Sequence, residues 1–119
     1  MESVYDLYRR GLSLLDHGDH HSAIVPLSRA RDLEPDKASV RETLARAYYG
    51  SGRFTQAGEE FERAVEIEPV NDYAHFGLGL CLMRRGDRLG ARRHLKLAVA
   101  MRPDQPDYRA ALERVAEDA

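Results

Sequence analysis

Three histidines and an aspartate, His17, Asp19, His20 and His21, fall within five positions. Imidazoles and a carboxylate at that density are ligand types suited to zinc or nickel. His17 and His21 are four apart and would share a face only in one continuous helix. Gly18 interrupts that run. A bound metal also needs ligands steadied by an outer shell of hydrogen bonds, which a turn supplies poorly, so a polar turn is the expected role and no metal site is expected. The single cysteine, Cys81, excludes a disulfide within the chain and any CxxC pair. A small buried residue is the expected role for it too. The chain has no phosphate loop, nucleotide fingerprint or nucleophile–base motif. No catalytic residues and no cofactor are therefore expected.

The charged residues fall into two groups. Glu59, Glu62 and Glu66 are spaced along one helical stripe, and Arg88, Arg92, Arg93 and Lys96 along another. Net charge is −2 and the pI is about 6.2, so nothing pulls the whole chain toward nucleic acid. No aromatic surface accompanies the bases, as single-strand binding would require. In register, Glu59 aligns with Arg93 and Glu62 with Lys96, so neighbouring helices are expected to set opposite charges side by side, each pair stabilising by about 0–1 kcal/mol. Apolar runs are too short for a membrane span. The first residues show no basic leader ahead of an apolar run. The expected location is cytoplasmic, with no nucleic acid and no membrane among the partners.

These groups are positioned by a repeat. Gly18, Gly52 and Gly86 are 34 residues apart, and so are Ala23, Ala57 and Ala91. Leu27, Phe61 and Leu95 share that period, as do Ala30, Ala64 and Ala98, then Pro35, Pro69 and Pro103. Each unit reads as two helices. Leu44, Ala47 and Tyr48 in the second unit, and Leu78, Cys81 and Leu82 in the third, give the first helix its apolar side. The recurring glycine follows, where a helix end takes a left-handed residue at little steric cost. Ala57, Phe61, Ala64 and Val65 form the stripe of the second helix, which stops before a proline. Pro26 inside the first unit's second helix predicts a kink or a late start. Pro106 opens a last amphipathic helix carrying Tyr108, Ala111, Leu112 and Val115 on one face.

Those columns resemble the tetratricopeptide repeat, a 34-residue helix–turn–helix unit. The second unit supplies Leu44, Ala45, Tyr48, Ala57, Phe61 and Pro69, and the third Leu78, Gly79, Leu82, Ala91, Leu95 and Pro103. The first supplies Gly11, Leu14, Ala23, Leu27 and Pro35, with Arg10 where leucine is usual. The family's tryptophan position holds Leu7, Arg41 and His75. The resemblance implies an all-α fold, a right-handed α-solenoid of three antiparallel helix pairs plus a capping helix, seven helices in all. The chain, 1–119, would be one domain with repeats at about 4–37, 38–71 and 72–105 and a cap at 106–117.

The resemblance also implies a site. In this family the first helix of each unit lines a concave face that holds a peptide or a partner helix. That places Tyr5, Tyr8, Arg9 and Leu12 in the groove from the first unit, and Ser39, Glu42, Thr43, Arg46 and Tyr49 from the second. Tyr73, Phe76, Gly77, Leu80 and Met83 follow from the third and Arg114 from the cap. About half of the aromatic side chains are expected to be accessible, Tyr8 and Tyr49 least. Family members that clamp a chaperone's C-terminal carboxylate use a Lys, Asn, Asn, Lys and Arg set. The matching positions are Tyr8, Leu12, Thr43, Tyr73 and Gly77, and none agrees. The expected partner is another protein or peptide, apolar or aromatic with an acidic group, bound without catalysis. The alternative is a self-associating adaptor or scaffold that works through array ends or charged outer faces.

Overall fold

The computed structural model describes residues 2–117. Among the described residues seven helices follow one another: α1 (Val4–Asp16), α2 (His20–Leu33), α3 (Ala38–Gly50), α4 (Phe54–Ile67), α5 (Asp72–Arg84), α6 (Arg88–Met101) and α7 (Pro106–Glu117). They pack as sequential antiparallel pairs in an all-α solenoid 49 × 25 × 23 Å in extent. Each helix packs on the next, and the odd-numbered helices also touch one another in the series α1, α3, α5, α7. The backbones of the even-numbered helices stay apart, and Arg31 of α2 reaches Glu60 of α4 through its long side chain. The odd helices therefore lie on the inside of the curve and the even ones on the outside.

The turn within each unit is built the same way three times. Gly18, Gly52 and Gly86 have φ of 77°, 78° and 84°, a region that side chains with a Cβ rarely enter. The next residue's N–H then reaches back five positions. Asp19 donates to Leu14, Arg53 to Tyr48 and Asp87 to Leu82, at 2.8–2.9 Å, which satisfies carbonyls that the helix end would otherwise leave bare. Asp19, Asn71 and Asp87 cap the following helices with their side chains. In α1, Ser3 and Asp6 form a reciprocal capping box.

Helix α2 begins at His20, in step with Phe54 and Arg88, and runs through a buried Pro26 without ending. The late start is thus excluded. Proline lacks only one donor, and the packed stripe of Ala23, Leu27 and Ala30, all fully buried, holds the helix across that gap. The expected pairing of outer charges is also corrected. The backbones of α4 and α6 stay apart, and neither Glu59–Arg93 nor Glu62–Lys96 is an ion pair.

The core is a chain of clusters along the solenoid, two of them where α1, α2 and α3 meet. Phe61 packs with Ala45 of α3 and with Ala74, Leu78 and Cys81 of α5. Burial pushes the Cys81 thiol up to about 12, so it stays protonated as a small packing group. A polar pair sits beside the core in two units. Arg41 donates to Glu60 at 2.9 Å and to the Pro35 carbonyl at 2.9 Å, and Arg31 adds a second bond to Glu60 at 2.8 Å. One unit later, His75 contacts His94 through Nδ1 at 3.0 Å and the Pro69 carbonyl through Nε2 at 2.8 Å. Among the described residues no buried side-chain polar atom lacks a partner.

Candidate functional site

The inner face carries a pocket of about 200 Å³ between α3 and α5. Arg46 and Tyr49 approach from α3, and Tyr73, Phe76 and Leu80 from α5, while Phe61 of α4 reaches the pocket from beneath. Helical spacing explains the set, since 73, 76, 77 and 80 follow one face of α5. Gly77 has a steric reason to be glycine. A methyl group there would lie 2.3 Å from Phe61 Cζ, so only a bare backbone lets that ring pass under the groove.

The pocket's aromatic rings are held in place. Phe76 stacks on Tyr108 of α7 with centroids 4.6 Å apart, and Tyr73 meets Phe61 edge-on at 6.0 Å. The Tyr108 hydroxyl donates to Asp72 at 2.7 Å, fixing α7 against the start of α5. Tyr49 meets Phe54 edge-on at 5.0 Å, and Arg84 lies over both rings and donates to the Tyr49 hydroxyl at 3.2 Å. Burial raises the Tyr73 pKa, so the group faces the pocket as a neutral phenol. Arg46 is exposed and, among the described residues, pairs with no carboxylate within 4.0 Å. An unpaired guanidinium beside three half-buried aromatic rings can receive a carboxylate in bidentate fashion while its neighbours take an apolar group.

The remaining groove residues lie elsewhere. Tyr5, 66% exposed, Tyr8 and Ser39 line a separate depression shared by α1 and α3. Arg9 lies over the Tyr5 ring at 5.6 Å, and the Tyr8 hydroxyl donates to Thr43 Oγ1 at 3.4 Å while the Thr43 hydroxyl donates to the Ser39 carbonyl at 2.7 Å. The structure thus brings Tyr73, Phe76 and Arg46 together and sets Tyr5 apart from them. Leu12 is half-buried. Glu42 accepts from Asn71 at 2.5 Å, and burial raises its pKa. Its carboxylate is engaged in tying α3 to the start of α5. Met83 packs toward α7 with Leu112, and Arg114 is exposed on α7.

Sequence reasoning did not place His20 in the groove. Its half-buried ring packs against Gly50, where a methyl would fall 2.1 Å from Cδ2, and it lines the pocket beside Leu15. The signal was present, because His20 holds the register of Phe54, the ring that supports Tyr49. His17 turns its Nδ1 to the Ser13 carbonyl at 2.7 Å. Among the described residues no three side chains of His, Cys, Asp or Glu group as metal ligands, and no helix is long and apolar enough to cross a membrane.

Stacked helix pairs with a groove along their first helices define an α-solenoid. The tetratricopeptide-repeat profile matches residues 8–69 and again 42–106, and the chain belongs to that family. It is 31% identical over 107 residues to the TPR repeat-containing thioredoxin TTL4 of Arabidopsis thaliana, covering 90% of this chain and 16% of the relative. It is 30% identical over 109 residues to Superkiller complex protein 3 of Mus musculus, covering 92% and 7%. The chain therefore spans less than a fifth of the length of these relatives. Among solved structures, the first TPR of Spaghetti bound to the HSP90 peptide SRMEEVD superposes with a TM-score of 0.92 at 16% identity, over 97% of this chain and 91% of that one. The Yersinia enterocolitica type III secretion chaperone SycD, in complex with a peptide of the translocator YopD, superposes at 0.86 and 16%, over 97% and 93%.

Proposed function

We propose that the chain is a non-catalytic interaction module that binds a peptide segment or partner helix along its inner face. The pocket between α3 and α5 takes an apolar or aromatic side chain of the ligand, and Arg46 takes a carboxylate next to it. The observation that carries this reading is Arg46 itself, an exposed cation without an ion-pair partner among the described residues, set among Tyr49, Tyr73 and Phe76. Tyrosine, phenylalanine and arginine are the types enriched in interface cores and anchors. Two proteins of the same fold are seen with peptides, which supports the mode of binding. The ligand differs in chemistry from a chaperone tail, because the five positions of the carboxylate clamp hold Tyr8, Leu12, Thr43, Tyr73 and Gly77.

Panning a random peptide library on the protein tests this. Selected peptides should pair an aromatic or large aliphatic residue with Asp or Glu. Arg46→Glu should weaken such a peptide by about 1–3 kcal/mol, in the range of hot-spot losses, through repulsion of the acidic group. Phe76→Ala should weaken acidic and neutral peptides alike. The reading fails if Arg92→Glu, on the outer face, abolishes binding while Arg46→Glu and Phe76→Ala leave it intact.

A further inference from the structure

The outer face carries a charge pattern that the chain does not satisfy internally. Glu59 and Glu62 on α4 are exposed, as are Arg92, Arg93 and Lys96 on α6. Among the described residues none of the five is in an ion pair. Leu89, 82% exposed, and Leu97, 41% exposed, flank the three cations along α6. A stripe of bases with two open leucines and no carboxylate is one-sided in charge, and so is the acidic stripe next to it. The repeat register nevertheless sets Glu59 level with Arg93, and Glu62 level with Lys96, on helices whose backbones stay apart.

We propose that this face is a dimer interface, and that the partner is a second copy of this chain. As second helices of successive units, α4 and α6 run in the same direction side by side. A two-fold axis lying parallel to them, midway between them in the plane of contact, places α6 of one copy over α4 of the other and does so reciprocally. That operation preserves height along the helices. Glu59 then meets Arg93 of the second copy and Glu62 meets its Lys96, with the same two contacts repeated across the axis. Leu89 falls opposite Thr55 of the second copy. The other two-fold axis in that plane, across the helices, would stack α4 on α4 and α6 on α6, like charge on like charge. Charge therefore selects one docking geometry, and that geometry closes as a dimer without leaving an open end.

Each exposed pair contributes little alone, so the dimer is weak and salt-dependent. Sedimentation of the whole chain at about 0.5 mM in low salt should show dimer, and raising salt to about 0.5 M should weaken it roughly tenfold or more. The decisive arm uses two variants changed only at exposed positions. One carries Glu59→Lys with Glu62→Lys, and the other Arg93→Glu with Lys96→Glu. Each alone should be monomeric, since every facing pair is then repulsive. Mixed in equal amounts they should form a heterodimer, since every facing pair is again attractive. A wild-type chain that stays monomeric overturns the proposal, and so does a dimer that survives in both variants. Wild type that remains monomeric yet binds phosphatidylserine vesicles through α6 overturns it in favour of a lipid surface. The peptide experiment on the inner face reads Arg46 and Phe76 and is independent of each of these outcomes.

Discussion

The second and third units solve one packing problem with opposite chemistry. The position where the family places tryptophan holds Arg41 in one and His75 in the other, and each bonds the carbonyl of the proline that ends the preceding unit, at 2.9 and 2.8 Å. Nineteen residues later each has its partner, Glu60 and His94. In the second unit two guanidiniums converge on one carboxylate that is 9% exposed. Burying ions is costly unless every one is paired and hydrogen-bonded, and here both carboxylate oxygens are used. In the third unit no ion needs to be buried. The His75 Nε2–H must donate to the Pro69 carbonyl, which leaves Nδ1 to accept a hydrogen bond from the His94 Nδ1–H. The ring centroids are 5.2 Å apart with planes 22° apart, and with the two Nδ1 atoms 3.0 Å apart the rings meet edge to edge rather than face to face. Opposite charge locks the first site strongly and tolerates no missing partner. Neutral imidazoles lock the second more gently but make it sensitive to protons.

Phe61 joins the two units, and its removal should have the largest effect. The ring is 2% exposed among residues of α3 and α5 and lies against Gly77. Phe61→Ala should cost about 3–5 kcal/mol. Neighbour-only stacking should then carry the loss through both units in one transition. Urea denaturation measures it, and a midpoint unchanged from wild type would show that the junction is not the one described. Glu60→Ala should come next, at about 2–3 kcal/mol. Breaking a buried ion pair costs about 3–5 kcal/mol, and the lower figure allows for Arg31 and Arg41, whose side chains are 24% and 16% exposed and can recover some hydration. An unchanged melt for this variant would reduce the triad to an incidental contact.

Much of this architecture was legible in the sequence because it rests on backbone rules repeated three times. Gly52 and its counterparts mark a left-handed turn, Pro69 and its counterparts end a helix, and the alanine columns mark close approach. Each is a constraint that one residue type meets and few others do. The polar locks were not read, although the signal existed. The columns 41/60 and 75/94 change together at the same spacing, and the first unit holds the two buried apolar residues Leu7 and Pro26 in that register. Seeing it requires knowing that two helices face each other at those positions, which is tertiary information. The outer charges were misjudged for the same reason, since register gives height along a helix but not the gap between helices. In the groove, spacing along α5 brought Tyr73 and Phe76 to one side, whereas the separation of Tyr5 from them depends on where α1 lies relative to α3.

The smallest effect is the one that best separates the two locks. Burial lowers the His94 pKa, the neighbouring His75 and Arg93 lower it further, and Asp87 alone opposes them. In the unfolded chain the same ring titrates near 6.5. Below that value the unfolded state binds the proton and the folded state does not, so stability falls as pH falls. The contribution of the neutral pair is complete above about 6.5 and is lost progressively from there down to the lowered folded value. Geometry adds to this at the second proton: a first on His94 Nε2 leaves the Nδ1 contact in place, whereas another on His75 Nδ1 would set N–H against N–H across 3.0 Å. His94→Gln retains a side-chain donor for His75 and removes the titration. Wild type should therefore lose melting temperature relative to His94→Gln between about pH 7.5 and about pH 5, while His17, His20 and His21, away from the pair and common to both proteins, cancel. Circular dichroism melts across that range measure the difference. Parallel pH profiles would mean that the imidazole pair carries no proton-linked stability, and the contrast between the two units would then be one of shape alone.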